Sequence, residues 1–451
     1  MRAVDWSVVV DRRAASVWAA AVLVYVSAIF GRTSFGVAGV QAMDHFAVDA
    51  SRIAVFASVQ VGVYALAQIP TGILIDRHGP RFMLVAGALV MATGQVLLGL
   101  ISNYSTAIAA RVLVGAGDAT AFLSVLRLIP FWFPPRRAPI IMQLTSSIGS
   151  LGQFLSAVPF QAVLNRFGWC PAFVSVGAVG FLVALAAAVA VVDTPEHRRG
   201  VRRRGVHRRG VRRPGVRAAS RRERAEARAR KDSQRIPVSR LISTAVRSPV
   251  CWQAFFLHGL GMLFSAVFTL AWGVPTMTLG LGLSPARAGA VLTLMTVAGI
   301  VVSPFAGVLS ARAGSRRAVV GAVIAAVNIA AWALFLASPS PRGALAATLV
   351  AVTTALTTPS SNFGFDTVRE TLPNTMVATG TGLSNMGGFV ATMVASQAFG
   401  AILEAHSRGG AYSWADFRVA WAAVVVVWFV WLVCFAVARR RVTAGAAPGG
   451  R

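Results

Sequence analysis

Apolar residues run in long, nearly unbroken stretches along almost the whole chain, separated by short polar connections. Each of these stretches is long enough to cross a bilayer at about 20 residues per helix. Backbone groups in lipid must find their partners within the segment, so helices are the expected form. The pattern predicts twelve of them, near 15–41, 52–75, 82–101, 106–128, 139–164, 171–192, 249–281, 286–310, 317–337, 343–361, 376–405 and 417–438. The first stretch follows Arg12 and Arg13 as a secretory leader would, but its apolar register continues past Ala28 to Val40. It therefore reads as a span and not as a cleaved signal.

Composition agrees with this reading. Of 451 residues 56% are hydrophobic and 13% charged, about half the charged share of a soluble domain. The three cysteines, Cys170, Cys251 and Cys434, are isolated, which excludes a disulfide scaffold and a thiolate metal site. The formal charge of +28 is unevenly placed. With the N-terminus in the cytoplasm, 34 basic residues fall on the cytoplasmic side and six outside, and the imbalance survives omission of the long central loop. Both termini are then cytoplasmic, in a multi-pass protein of the inner (cytoplasmic) membrane.

Six spans precede a basic segment and six follow it. The division expected is a first six-helix bundle at 1–192, a cytoplasmic linker at 193–248, a second bundle at 249–438 and a tail at 439–451. The linker holds 19 Arg and Lys against five acids and repeats a pentapeptide close to x-Arg-Arg-Gly-Val four times between His197 and Val216. Repulsion among the arginines and a glycine in every fifth position point to a solvated tether. Within it, Ala218–Arg230 has the composition of a short basic helix attracted to anionic lipid. Aromatic residues are not interleaved with the arginines, so a nucleic-acid partner is not expected.

One motif occurs twice. Gly72-Ile-Leu74-Ile-Asp76-Arg77-His-Gly79-Pro-Arg81 follows the second span, and Gly307-Val-Leu309-Ser-Ala311-Arg312-Ala-Gly314-Ser-Arg316-Arg317 follows the eighth, at a constant offset of 235 residues. The glycines permit close helix approach and chain reversal, and the arginines suit the negative inner leaflet. Asp76 can pair with an arginine or cap a helix, while Ala311 can do neither. On these residues the chain resembles transporters of the major facilitator superfamily, whose signature Gly-x-Leu-x-Asp-Arg-x-Gly-Arg-Arg/Lys it departs from at Pro80. The resemblance implies an all-α membrane fold of twelve transmembrane helices in two pseudo-symmetric six-helix bundles. It also implies a conformational latch built from Gly72, Asp76, Arg77, Gly79 and Arg81, with Gly307, Arg312, Gly314 and Arg316 as its degenerate second copy. A purely static role in topology is the competing reading.

Charged side chains within spans are costly, by about 2.5–3.5 kcal/mol on insertion scales, and so mark partners or water. Arg32 lies in the first span, with Tyr25 seven residues earlier on the same face. The run Arg32-Thr-Ser-Phe-Gly-Val-Ala is similar to the first helix of anion:cation symporters, which implies Arg32 as the counter-charge of an organic anion. Snorkelling or packing is the alternative for Arg32. Arg111, Gly115, Asp118 and Phe122 share a face of the fourth span, and the family resemblance covers Arg111, Gly115 and Gly117. Asp118 is the candidate proton-coupling carboxylate and Arg111 the charge that biases its protonation, the two being too far apart for a tight pair. A structural aspartate bonded to a neighbouring helix is the other reading.

Gln60, Tyr64 and Gln68 form a polar stripe on the second span, and Ser146, Gly149, Gln153 and Ser156 a similar one on the fifth. His258, Thr293, Thr296 and Asn385 occupy later spans. Tyr25, Gln60, Tyr64, Gln153, His258 and Asn385 are the candidates to line a substrate cavity with Arg32, or to hydrogen-bond between helices. No nucleotide-binding Gly-x-x-x-x-Gly-Lys-Ser/Thr run, metal-ligand cluster or catalytic triad is visible, so neither cofactor nor enzyme activity is expected. Gly149-Ser-Leu-Gly152-Gln lacks the Gly-Pro-x-x-Gly-Gly element of drug/proton antiporters. The expectation is secondary active transport of a small organic anion by alternating access, coupled to protons or sodium. Proton-coupled efflux of drugs or amphipathic metabolites, and a transporter-like sensor that binds without translocating, remain as alternatives.

Overall fold

The computed structural model describes residues 12–48, 50–194, 236–407 and 412–445. The pentapeptide repeats and the Ala218–Arg230 segment lie outside these residues. Fourteen helices are labelled here: α1 Arg12–Val37, α2 Gly39–Phe46, α3 Ala50–His78, α4 Pro80–Leu100, α5 Tyr104–Trp132, α6 Ala138–Phe167, α7 Trp169–Ala190, α8 Val238–Arg247, α9 Pro249–Gly280, α10 Pro285–Ala313, α11 Arg317–Leu336, α12 Ala344–Thr371, α13 Val377–Ser407 and α14 Trp414–Gly445. Eleven helical runs among the described residues are long and apolar enough to cross a membrane. One of them, Pro285–Leu336, has 52 residues and would be about 78 Å long if straight. It turns at Gly314 (φ 50°) into α10 and α11, which makes twelve crossings. The fold is thus all-α with twelve apolar spans, and large side chains such as Leu66, Leu182 and Leu345 point outward where only lipid can accommodate so many of them.

Local chemistry sets the helix ends. Asn103 caps α5 by accepting from the amides of Ser105 (3.0 Å) and Thr106 (3.2 Å), and Ser284 caps α10 through Arg287 N (3.3 Å). Pro80, Pro249 and Pro285 occupy first-turn positions, where a missing N–H costs nothing. Several bounds differ from the sequence reading. The first span ends at Val37, because Ala38 leaves helical geometry (φ −84°, ψ 12°) before α2. The tenth does not stop at 361: a 3₁₀ turn at Thr358–Asn362 absorbs Pro359, and the helix resumes as Phe363–Thr371. Pro159 sits in a π turn, Ser156–Phe160, within α6.

The chain divides into two compact units: 1–138, 148–238 and 374–378 form the first, and 139–147, 239–373 and 379–451 the second. In the first, α4 packs on α5 and α7, and α5 on α1 and α3. A Cβ at Gly117 of α5 would collide with the Gly87 carbonyl of α4, and one at Gly87 with the Thr120 side chain. These glycines therefore let the two backbones touch. In the second, α9 packs on α14 and α12, and α10 on α12. Its core gathers Trp332, Trp421, Phe264, Phe268 and Phe399. The polar edges of the indoles are satisfied: Trp332 Nε1 donates to Thr354 Oγ1 (2.9 Å) and Trp421 Nε1 to Thr276 Oγ1 (3.1 Å).

Gly117→Ala is expected to destabilise the protein by about 1–3 kcal/mol, read as a lower melting temperature in detergent. Gly62→Ala, where a Cβ meets open space, should leave the melting temperature unchanged or slightly raised.

Candidate functional site: a buried charge cluster in the first unit

α1, α3 and α5 bring together the residues that bear charge in mid-span. Arg32 of α1 reaches Asp118 of α5 with two hydrogen bonds, Nε to Oδ2 at 2.6 Å and Nη2 to Oδ1 at 2.9 Å. This fork-to-fork geometry is the strongest arrangement open to the two groups. The carboxylate is fully buried, while 23% of the Arg32 side chain stays accessible. The Tyr64 ring of α3 lies 4.5 Å from the Arg32 guanidinium carbon, a cation–π contact, and Gln60, one turn earlier, adjoins Asp118. Gly115 makes this approach of α3 feasible, since a Cβ there would come within 2.9 Å of the Gln60 carbonyl. Tyr25 packs its ring against Phe122 at 5.1 Å.

Arg111 is 2% exposed and rests on the Phe35 ring at 4.8 Å. Its Nη2 reaches the Arg32 carbonyl at 3.5 Å, and its Nε and Nη1 have no hydrogen-bond partner among the described residues. Asp118 is the carboxylate that acts electrostatically on both guanidiniums. Two cations thus share one buried anion. The sequence named all three residues but paired the carboxylate only with Arg111 of its own helix. The bond to Arg32, 86 residues away, required knowing how α1 is turned toward α5.

The other candidates lie elsewhere. Gln153 of α6 is exposed and outside the cluster, whereas Ser156 beside it bonds Thr33 of α1 at 2.8 Å. His258 and Asn385 belong to the second unit and are buried there. His258 Nδ1 lies 3.3 Å from the Ser361 carbonyl, with its ring against Phe365.

The repeated motif takes two different forms. In the first copy Gly79 (φ 90°) reverses the chain and Pro80 starts α4, so the departure from the signature fits the turn. Asp76 is buried, 3.5 Å from Arg127 of α5, and accepts from the Ala378 amide at 3.1 Å. The motif arginines reach main chain: Arg77 donates to Ile236 O (2.7 Å) and Arg81 to Ala188 O (2.6 Å). Asp193 accepts from the Arg81 amide at 2.8 Å. In the second copy Gly307 is buried, Gly314 makes the turn, and Arg312 and Arg316 are exposed. The carboxylate that Ala311 cannot supply comes from Asp366 of α12, which accepts from Ser310 Oγ at 2.7 Å and pairs with Arg369 at 2.9 Å. Arg317 joins the group through Ser310 O (3.0 Å) and Glu370 (2.9 Å). Reading the tenth span as ending at 361 hid Asp366. Its one sequence signal is the Asp-x-x-Arg-Glu spacing that puts three charges on one helical face.

The sequence profile of the Major Facilitator Superfamily matches residues 21–396. The chain belongs to that family. Over 93% of its length it superposes on the proton:xylose symporter XylE with a TM-score of 0.71 at 12% identity, covering 95% of that chain. A bacterial homologue of the human lysosomal transporter Spinster, in an inward-facing state, aligns over 95% of this chain and 98% of its own with a TM-score of 0.54 and 17% identity. Among curated proteins, the probable L-galactonate transporter of Escherichia coli is 27% identical over 154 residues, 34% of each chain. The probable sulfoacetate transporter of Cupriavidus necator is 25% identical over 174 residues, 39% of this chain and 40% of its own. The matched stretch spans a little over a third of these relatives.

The pairing has a thermodynamic signature. Asp118→Leu alone strands the buried Arg111 and the part-buried Arg32 and should cost about 3–5 kcal/mol, whereas Arg32→Met combined with Asp118→Leu should recover a large part of that loss. Melting temperatures of the two single variants and the double variant test this. A double variant as unstable as the sum of the singles would show that the groups are not coupled.

Proposed function

We propose that this protein is a secondary active transporter that carries a small organic anion across the cytoplasmic membrane by alternating access, together with protons. The observation that carries the reading is the shared carboxylate: one Asp118 between Arg32 and Arg111, with two Arg111 nitrogens, Nε and Nη1, lacking a hydrogen-bond partner among the described residues. An excess of buried positive charge is expensive, and an anion entering the site relieves it.

The coupling follows from competition. While Asp118 is ionised it engages Nε and Nη2 of Arg32 and holds that edge of the guanidinium away from other anions. A proton on Asp118 removes the negative charge, frees the Arg32 fork and lets a substrate carboxylate or sulfonate take its place. Return of Asp118 to the ionised form expels the substrate from Arg32. Proton and anion therefore travel together. Tyr64, Tyr25 and Gln60 would present hydroxyl and amide groups beside the charge, suited to a hydroxylated acid. The relatives, which include probable galactonate and sulfoacetate transporters and a hexuronate transporter, support an organic acid as cargo. Asp76 with Arg127, and Asp366 with Ser310 and Arg369, would serve as the latches of the two motif copies. Both termini would face the cytoplasm.

The test is uptake of labelled galactonate and sulfoacetate into proteoliposomes under an inwardly directed proton gradient. Wild type should accumulate one of these acids. Arg32→Ala should lose uptake and binding. Asp118→Asn should lose gradient-driven accumulation yet retain exchange of internal for external anion. Undiminished accumulation by Asp118→Asn would overturn the coupling role, and uptake indifferent to Arg32→Ala would overturn the anion site.

A further inference from the structure

α8 is a ten-residue helix that ends at Arg247, two residues before the spanning helix α9 begins at Pro249. Its residues sort cleanly around the axis. At about 100° per residue, Leu241, Ala245, Val238, Ile242 and Val246 occupy one continuous apolar arc about 140° wide. One edge of that arc is covered by protein: Leu241 and Ala245 are buried. The other edge is open, with Val238, Ile242 and Val246 exposed by 42, 37 and 40%. The opposite face carries Ser239, Arg240, Thr244 and Arg247, all exposed.

A helix with half of its apolar arc covered and half open has a second apolar surface to meet. Its position limits what that surface is. At about 15 Å it is too short to cross a hydrocarbon core of about 30 Å, and the single connecting residue Ser248 holds it at the boundary where α9 enters the membrane. The Trp252 indole on the first turn of α9 ties the two together by donating to the Val246 carbonyl at 2.6 Å. Its charge is complementary to anionic headgroups: Arg240 and Arg247 lie on the polar face, with no acid in the helix, and the 193–248 segment holds 19 Arg and Lys against five acids.

We infer that α8 is a membrane-surface anchor, whose Val238–Ile242–Val246 stripe inserts at the headgroup–acyl boundary of an anionic leaflet while Arg240 and Arg247 engage the phosphates. Such a helix sits about 5–10 Å into the boundary and responds to lipid charge. It fixes the entry point of α9 relative to the bilayer and gives the basic linker a defined landing point beside the second unit.

Site-directed spin labelling of the full-length protein tests this, with the exposed Cys170 and the half-buried Cys434 replaced and the buried Cys251 retained. Labels are introduced singly by Val238→Cys, Ile242→Cys, Val246→Cys, Arg240→Cys and Thr244→Cys, in vesicles of phosphatidylcholine with or without phosphatidylglycerol. The expected result is an oxygen-to-nickel-chelate accessibility ratio several-fold higher at 238, 242 and 246 than at 240 and 244, with the contrast reduced in vesicles lacking phosphatidylglycerol. Uniform access of the chelate to all five positions would place the stripe in water and overturn the assignment. Labels at 238, 242 and 246 that are immobile and closed to both reagents would identify protein as the covering surface and overturn it equally. A contrast indifferent to phosphatidylglycerol would overturn the role of the two arginines.

Discussion

A carboxylate without water needs a cation, and in the first unit that requirement organises three helices. Asp118 is fully buried on α5, and the Arg32 fork satisfies both of its oxygens from α1. Desolvating the two ions would cost several kcal/mol each if either stood alone, so neither helix has a favourable alternative orientation. Gly115 then admits α3 close enough to place Tyr64 under the guanidinium and Gln60 beside the carboxylate. Small residues, aromatic faces and amide groups around the pair are thus consequences of the pair. Arg111 is left partly unanswered among the described residues: its position against Phe35 gives it a polarisable surface but few acceptors.

The two copies of the turn motif solve one problem by different means. In the first, the carboxylate belongs to the motif and its cation, Arg127, comes from another helix. In the second, the motif supplies a hydroxyl, Ser310, and the carboxylate arrives from α12 with its own arginine three residues on. The backbone reversal is the shared element, made both times by a glycine with positive φ, Gly79 or Gly314. Selection of the turn geometry and selection of the charge pattern are therefore separable. The second copy looks degenerate only when it is read along the chain.

Much of this was legible in the residues. Long apolar runs give helices whatever their neighbours do, because lipid offers the backbone no other partner. The constant offset between the motifs exposed the two halves, and the rarity of charges within spans singled out Arg32, Arg111 and Asp118. What the sequence could not convey was rotation about helix axes. Spacing places Arg111 and Asp118 on one face of α5 but is silent on which side of α1 meets it, so Arg32 and Asp118 were named separately. Asp366 was missed for another reason: Pro359 reads as a stop, and a 3₁₀ turn carries the helix past it. The pairing of Asp76 with Arg127 is hidden for the first reason, since the two lie on different helices.

The contact between Gly87 and Gly117 has a mechanical consequence. With no side chains between them, α4 and α5 interlock at the level of their peptide groups, and sliding or rolling one over the other would drive Thr120 into α4. The two helices form a stiff plate, and Asp118, one residue after Gly117, is bolted to it. Arg32 stands on α1, which keeps a contact with the π turn of α6 through Thr33 and Ser156, where helical geometry is already relaxed. Of the two partners in the ion pair, the acid stands on the more tightly interlocked support.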